Sequence, residues 1–224
     1  MMVLIFSIAL SVTLSGVLFF FLQWRKEKNE NALLFKNELE LLQSQVNPHF
    51  LFNTLNSIYA LALKKSDAAP GAILKLSSLM RYSLTESKRD KVPLETEIQQ
   101  LQAYIDLQQL RLQRITEVVF HTNGITEHQA IAPVLLLPFV ENAFKYGTHA
   151  STPSKIEISV TVQQSILEFH CSNHIFPNTE VMKESSGLGI ANTRRRLELF
   201  YPNRHELKAA PNNEFFFVAL RIEL

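Results

Sequence analysis

The chain has 224 residues, 46% of them hydrophobic and 16 of them phenylalanine, enough to bury a sizeable core in one compact domain beside a helical connector. A net charge of +1 excludes a general nucleic-acid binder, and no direct nucleic-acid partner is expected. A single cysteine, Cys171, excludes an internal disulfide framework and a cysteine zinc site. It lies in the alternating run LEFHCSN and reads as a small apolar residue.

Met2 to Trp24 carries no charge and is long enough to cross a hydrocarbon core, which takes roughly 20 helical residues. Trp24 suits an interface, and Arg25, Lys26 and Lys28 follow it. By the positive-inside rule these cations stay in the cytoplasm. The expectation is a single-pass anchor over residues 1–24, in contact with lipid through residues 2–24, its N-terminus outside and the rest of the chain cytoplasmic. A cleaved leader would begin with positive charge and carry a shorter apolar run.

Residues 25–90 read as a helical hairpin. Phe35, Leu39, Leu42 and Val46 recur at helical spacing, and the stripe resumes as Leu51, Leu55, Ile58 and Ala62. Asn47-Pro48 between them is a kink or a fresh helix start, since Asn caps and Pro tolerates the first turn. SDAAPG (Ser66 to Gly71) reads as a turn, and Ile73, Leu76, Met80 and Leu84 mark a second helix. The apolar surface is wide for two helices, so a homodimeric four-helix bundle would bury it better.

A polar linker, Ser87 to Pro93, separates the hairpin from a domain over residues 91–224. Leu94 to Gln113 is a helix, with Leu94, Ile98, Leu101, Ile105 and Leu112 on one face and Glu95 and Glu97 in its first turn. Glu117 to Thr122 reads as a strand. Pro133 to Tyr146 is a helix apolar almost all round, stopped by Gly147. Lys155 to Val162 and Ile166 to Cys171 pair as a hairpin. Asn173 to Ser186 is a loop, Leu188 to Phe200 a helix, and HELKAA and FFFVALRIEL close the chain as strands. This order predicts an α+β sandwich, helices on one face of a mostly antiparallel sheet.

Three places can carry chemistry. His49 follows a proline at a helix start, where the positive helix end disfavours an imidazolium. Such a ring can accept a phosphoryl group; read alone, it is more readily a hydrogen-bonded, inert histidine. Glu141 and Asn142 sit mid-way along an apolar helix, where polar groups need partners. The Asn142 carbonyl can hold Mg²⁺ beside a triphosphate and Lys145 can meet a phosphate, or the group is an ordinary helix end. Gly187 and Gly189 precede a helix, where backbone N–H groups can approach phosphate oxygens, though a plain loop-to-helix turn explains them as well. Asn192 and Arg194 to Arg196 follow; Arg196, beside Leu197 and Leu199, suits a structural ion pair. His121, His128, His149, His170, His174 and His205 show no metal-ligand spacing.

Taken together, QVNPHFLFNTLNSI (Gln45 to Ile58), VPLETEIQQLQAYIDLQQLR, PVLLLPFVENAFKYG and SGLGIANTRRRLELFYP resemble the sensor histidine kinases of the LytS/YehU type, over about Lys36 to Leu224. The first resembles that family's phosphoacceptor motif, the third its N box, the fourth its second glycine box. The resemblance implies a Bergerat ATP-binding fold, shared with gyrase, Hsp90 and MutL. It implies autophosphorylation of His49 from ATP, Mg²⁺ at Asn142, an ATP lid at Gly187 and Gly189, and transfer to an aspartate of a response regulator, often of LytTR type. Two motif positions depart. Phe50 stands where many relatives carry an acidic base directly after the histidine, leaving Glu141 as the candidate base. CSNHIF (Cys171 to Phe176) replaces the D-x-G-x-G adenine box, with Asn173 nearest the aspartate slot. Asn accepts a hydrogen bond from an adenine amino group but carries no charge. A kinase-like interaction protein without turnover is therefore the alternative expectation. Relatives usually carry several membrane spans or a sensor domain, so a separate membrane sensor is a further expected partner.

Overall fold

In chain order, this computed structural model describes residues 48–86, 89–112, 115–126, 128–176 and 188–224. They form α1 (Pro48–Leu63), α2 (Ala68–Thr85), β1 (Val92–Pro93), α3 (Leu94–Gln109), β2 (Thr116–Asn123), β3 (Ala130–Ile131), α4 (Leu137–Gly147), β4 (Ser154–Gln163), β5 (Ile166–His174), α5 (Leu188–Phe200), β6 (His205–Asn212) and β7 (Phe215–Glu223). The expected anchor at Met2 to Trp24 lies outside the described residues. Among the described residues no helix is long and apolar enough to cross a membrane.

Period-two alternation in the C-terminal half becomes one five-stranded sheet of order β2-β4-β5-β7-β6. Its pairs are antiparallel except β2 with β4, which run parallel, Thr116 opposite Ser154. The parallel pair follows from connectivity, because α4 crosses over between the two strands. The covered face carries Ile156, Ile158, Val160, Leu167, Phe169, Leu220 and Ile222, all buried. Helix α4 packs on β4 and β5, and α5 on α4. The α+β expectation with a mostly antiparallel sheet is met.

Boundaries differ where backbone groups find other partners. Helix α2 begins at Ala68, so Ala69, Pro70 and Gly71 of the expected turn are helical. Strand β5 runs on to His174, placing Asn173 in the sheet rather than in a loop. Helix α3 ends at Gln109, short of Gln113. Helix α4 starts at Leu137 rather than Pro133. Ahead of it, Val134 sits at φ +54°, a left-handed conformation that a β-branched residue rarely adopts and a helix cannot continue.

One hydrophobic cluster joins the hairpin to the sandwich. Ile58, Leu76, Leu79 and Tyr82 belong to it together with Leu101, Phe144 and Phe169. A polar ladder runs along the same seam: Lys75 pairs with Asp106, Ser78 meets Gln100, and Tyr82 meets Glu97. The partners descend along α3 as they ascend along α2, so the two helices run antiparallel.

Candidate functional site

The apolar helix α4 organises the site, because its buried face (Phe139, Val140, Ala143, Phe144) fixes it on the sheet and turns its polar residues outward. Asn142 is half-buried. A Cβ added to Gly189, in the first turn of α5, would lie 3.6 Å from Asn142 Nδ2 and 3.9 Å from Oδ1. The fold thus brings Asn142 and Gly189 together across a small cradle that a side chain would fill. An amide oxygen beside the first turn of a helix suits an oxygen-seeking cation and a phosphate. Lys145 is exposed, its Nζ 5.1 Å from the Tyr146 ring centroid. Asn192 follows one turn after Gly189 and is exposed. Gly187 lies outside the described residues.

At the far end of α4, Gly147 presses on Asn173. A Cβ on Gly147 would sit 2.5 Å from Asn173 Cβ, closer than real side chains come. Asn173 is buried, and its Nδ2 donates to the His174 carbonyl at 2.8 Å. Just beyond it, rings gather: His174 lies 4.1 Å from Phe215, and His149 5.2 Å from Phe176. His174 Nδ1 accepts the Lys155 backbone N–H, so this histidine is structural.

His49 is exposed in the first turn of α1. One turn later, Asn53 Nδ2 lies 3.0 Å from His49 Nε2 and 3.3 Å from Nδ1, an i,i+4 pair of side chains. Only an unprotonated ring nitrogen can accept from that amide. Phe50 stacks on Tyr104 of α3 at 4.7 Å, and Tyr104 meets Phe144 of α4 edge-on at 5.8 Å. Helix α1 is thereby tied through α3 to α4. Burial pushes the Glu141 carboxyl from its ordinary 4.5 up to about 7. The Glu141 charge in turn adds to burial in raising the Tyr104 hydroxyl. Burial also drives the Cys171 thiol up to about 12, as suits an inert residue.

Sequence reasoning missed Asn53, Glu97, Tyr82 and Tyr201. Glu97 was placed in the first turn of its own helix, yet its carboxylate is turned onto another segment. Oε1 accepts the Leu135 and Leu136 backbone N–H groups and Oε2 that of Val134, each at 3.0 Å, and Tyr82 donates its hydroxyl to Oε2. The available signal was its position, on the apolar stripe between Leu94 and Leu101. Arg196, expected in an ion pair, donates from Nη2 to the Pro133 carbonyl at 2.6 Å, with the Glu97 charge opposing the burial that lowers its pKa.

Residues 37–115 match the family described as Histidine kinase. The sensor protein LytS of Staphylococcus haemolyticus is 36% identical over 118 residues, 53% of this chain and 20% of that protein. LytS of Streptococcus mutans is 32% identical over 192 residues, 80% of this chain and 33% of its own length. The chain is similar to the LytS-type sensor histidine kinases. It spans about a fifth to a third of these LytS proteins. Among solved structures, the catalytic domain of histidine kinase ThkA aligns at TM-score 0.43 and 16% identity, covering 59% of this chain and 93% of that one. The histidine kinase family match covers α1, α2 and α3, and so His49, Asn53, Tyr82 and Glu97.

Proposed function

We propose that this chain is a membrane-bound, homodimeric sensor histidine kinase that phosphorylates its own His49 from Mg·ATP and passes the group to an aspartate of a response regulator, of LytTR type. The approach of Gly189 to Asn142 carries the reading, since it brings together two motifs far apart in sequence. Residues 25–90 serve as dimerisation and phosphoacceptor region, and residues 91–224 as an ATP-binding domain of Bergerat type.

Asn142 would hold Mg²⁺, and the backbone at Gly187 and Gly189, with Lys145, would hold the phosphates. ATP brings the transferable phosphoryl group, and Mg²⁺ neutralises charge on it. A neutral His49 nitrogen forms the N–P bond as the P–O bond to ADP breaks, its electron pair leaving on ADP. The ring's other N–H proton passes to a base. Glu141, raised to about 7, is the candidate because a base works best when its pKa lies near the operating pH.

Phe52, Tyr59 and Leu63 form a stripe along α1 that is about two-thirds exposed, with Leu74 of α2 71% exposed, which supports a bundle built with a second copy. Met2 to Trp24 supplies the anchor.

The test is labelled ATP on the full chain. An acid-labile label is expected on wild type and none on His49→Gln; a label persisting on that variant removes the assignment. A second reading, a kinase-like interaction protein without turnover, is favoured by Asn173. It sets a buried, neutral amide at the aspartate slot, with Gly147 packed against its Cβ. Calorimetry separates the two, and no heat with Mg·ATP selects the second.

A further inference from the structure

The segment Ala132–Leu136, which delivers the chain into α4, holds an improbable shape. Val134 is left-handed at φ +54°. Such strain persists only where surrounding groups over-determine it. Here three side chains supply the determinants. Ala132 N–H donates to the Tyr201 hydroxyl at 2.9 Å. Arg196 Nη2 holds the Pro133 carbonyl at 2.6 Å. Glu97, 1% exposed, takes the N–H groups of Val134, Leu135 and Leu136. A carboxylate thus caps the start of α4 from a different helix.

Two of the anchors lie on helices that border the site, and Tyr201 directly follows one of them. Glu97 lies on α3 and Arg196 on α5, the helix that begins beside Gly189. Tyr82 lies on α2 of the hairpin that carries His49, and its hydroxyl donates to Glu97 Oε2. The same hydroxyl oxygen lies 3.4 Å from the Val134 nitrogen. Helix α4, positioned by this segment, carries Glu141 and Asn142 within its first two turns. The only buried side-chain nitrogen or oxygen without a hydrogen bond among the described residues is Arg196 Nε, in the same knot. A knot left one partner short can repack when its members shift.

We propose that Glu97 is the positioning residue that sets α4 against α5, and that Tyr82 makes this setting depend on the hairpin. A rotation of α2 that withdraws the Tyr82 hydroxyl loosens the Val134 turn, and the Asn142–Gly189 cradle loses its spacing. The hairpin thereby governs the phosphate site through a buried hydroxyl, apart from any contact between His49 and nucleotide. The consequence for catalysis presupposes that Asn142 and Gly189 hold nucleotide; the mechanical linkage does not.

The test uses the full chain with Tyr82→Phe, which deletes one hydroxyl and keeps the ring, and Glu97→Gln, which keeps one carbonyl acceptor but sets a donor where Glu97 accepts from Val134. Amide hydrogen exchange at residues 134–147 is expected to quicken about tenfold in Tyr82→Phe and more in Glu97→Gln, with β4 unchanged. In the labelling assay, Tyr82→Phe is expected to raise KM for ATP about tenfold, because the hydroxyl touches no substrate and acts through the spacing of the Asn142–Gly189 cradle. Exchange at residues 134–147 unchanged in Tyr82→Phe overturns the linkage, whether or not wild type labels His49. A wild type that labels nothing, with quickened exchange in the variant, leaves the linkage standing and removes only the kinase reading. Quickened exchange with KM for ATP unchanged would confine Tyr82 to stability and overturn its positioning role.

Discussion

Two glycines on facing elements illustrate how one residue type serves stability at one position and chemistry at another. Gly147→Ala drives a methyl group to 2.5 Å from Asn173 Cβ, and overpacking of this kind costs about 1–3 kcal/mol, read as a lowered urea midpoint. Gly189→Ala meets the Asn142 amide at an ordinary 3.6 Å, so the fold should hold while Mg·ATP affinity falls about tenfold by calorimetry. Glu141 adds a pH signature. Its carboxyl is raised from 4.5 to about 7, so between these values the unfolded chain ionises and the folded chain keeps its proton. This stabilising contribution is full below pH 4.5 and is lost as pH rises through about 7, by ~3 kcal/mol in all. Denaturation curves at about pH 5 and pH 8 should therefore lie closer together in Glu141→Gln than in wild type. Labelling of His49 should rise with an apparent pKa near 7 and lose that rise in the same variant. His49, Glu141, Asn142 and the glycines were legible as candidates because each residue type interrupts an apolar or helical pattern. Glu97 and Tyr82 were not, since a first-turn glutamate and an amphipathic tyrosine each have an ordinary explanation.

Elements were read well wherever period and punctuation agreed. Helix α5 has the limits expected from Leu188 and Phe200, and β6 and β7 fall on HELKAA and FFFVALRIEL. The start of α4 was read too early, because Pro133–Leu136 is as apolar as the helix it precedes and hydrophobicity cannot show where N–H groups go. Glu97 takes three of them from across the fold. This turn reverses a normal rule. Elsewhere glycine is less stable than alanine by roughly 0.5–1 kcal/mol. At Val134 both substitutions lose the same side-chain packing, while glycine alone is at ease at φ +54°. Val134→Gly is expected to be more stable than Val134→Ala by about 1 kcal/mol in urea titrations. The reverse ranking would mean that the left-handed turn relaxes without cost.

At the scale of the molecule, the hairpin is half inside a core and half outside it. Ile58, Leu76, Leu79 and Tyr82 join the sandwich, whereas Phe52, Tyr59 and Leu63 face away, each about two-thirds exposed. Helical periodicity announced an apolar surface too wide for two helices, but not which part the chain's own sandwich would take. That division depends on the α2–α3 ladder, whose rungs are polar and leave no mark in a hydrophobic pattern. A stripe of large apolar side chains is more than a stable monomer ordinarily leaves in water. If a second copy covers it, charge on the stripe costs association and spares the monomer, because the substituted positions touch water there. Phe52→Glu with Tyr59→Glu should therefore weaken dimerisation at least about tenfold in sedimentation equilibrium, while thermal unfolding of the monomer shifts by no more than the ~0.5 kcal/mol typical of surface changes. An unchanged dimer would place the self-contact elsewhere. A collapsed monomer would mean that the stripe packs within the chain.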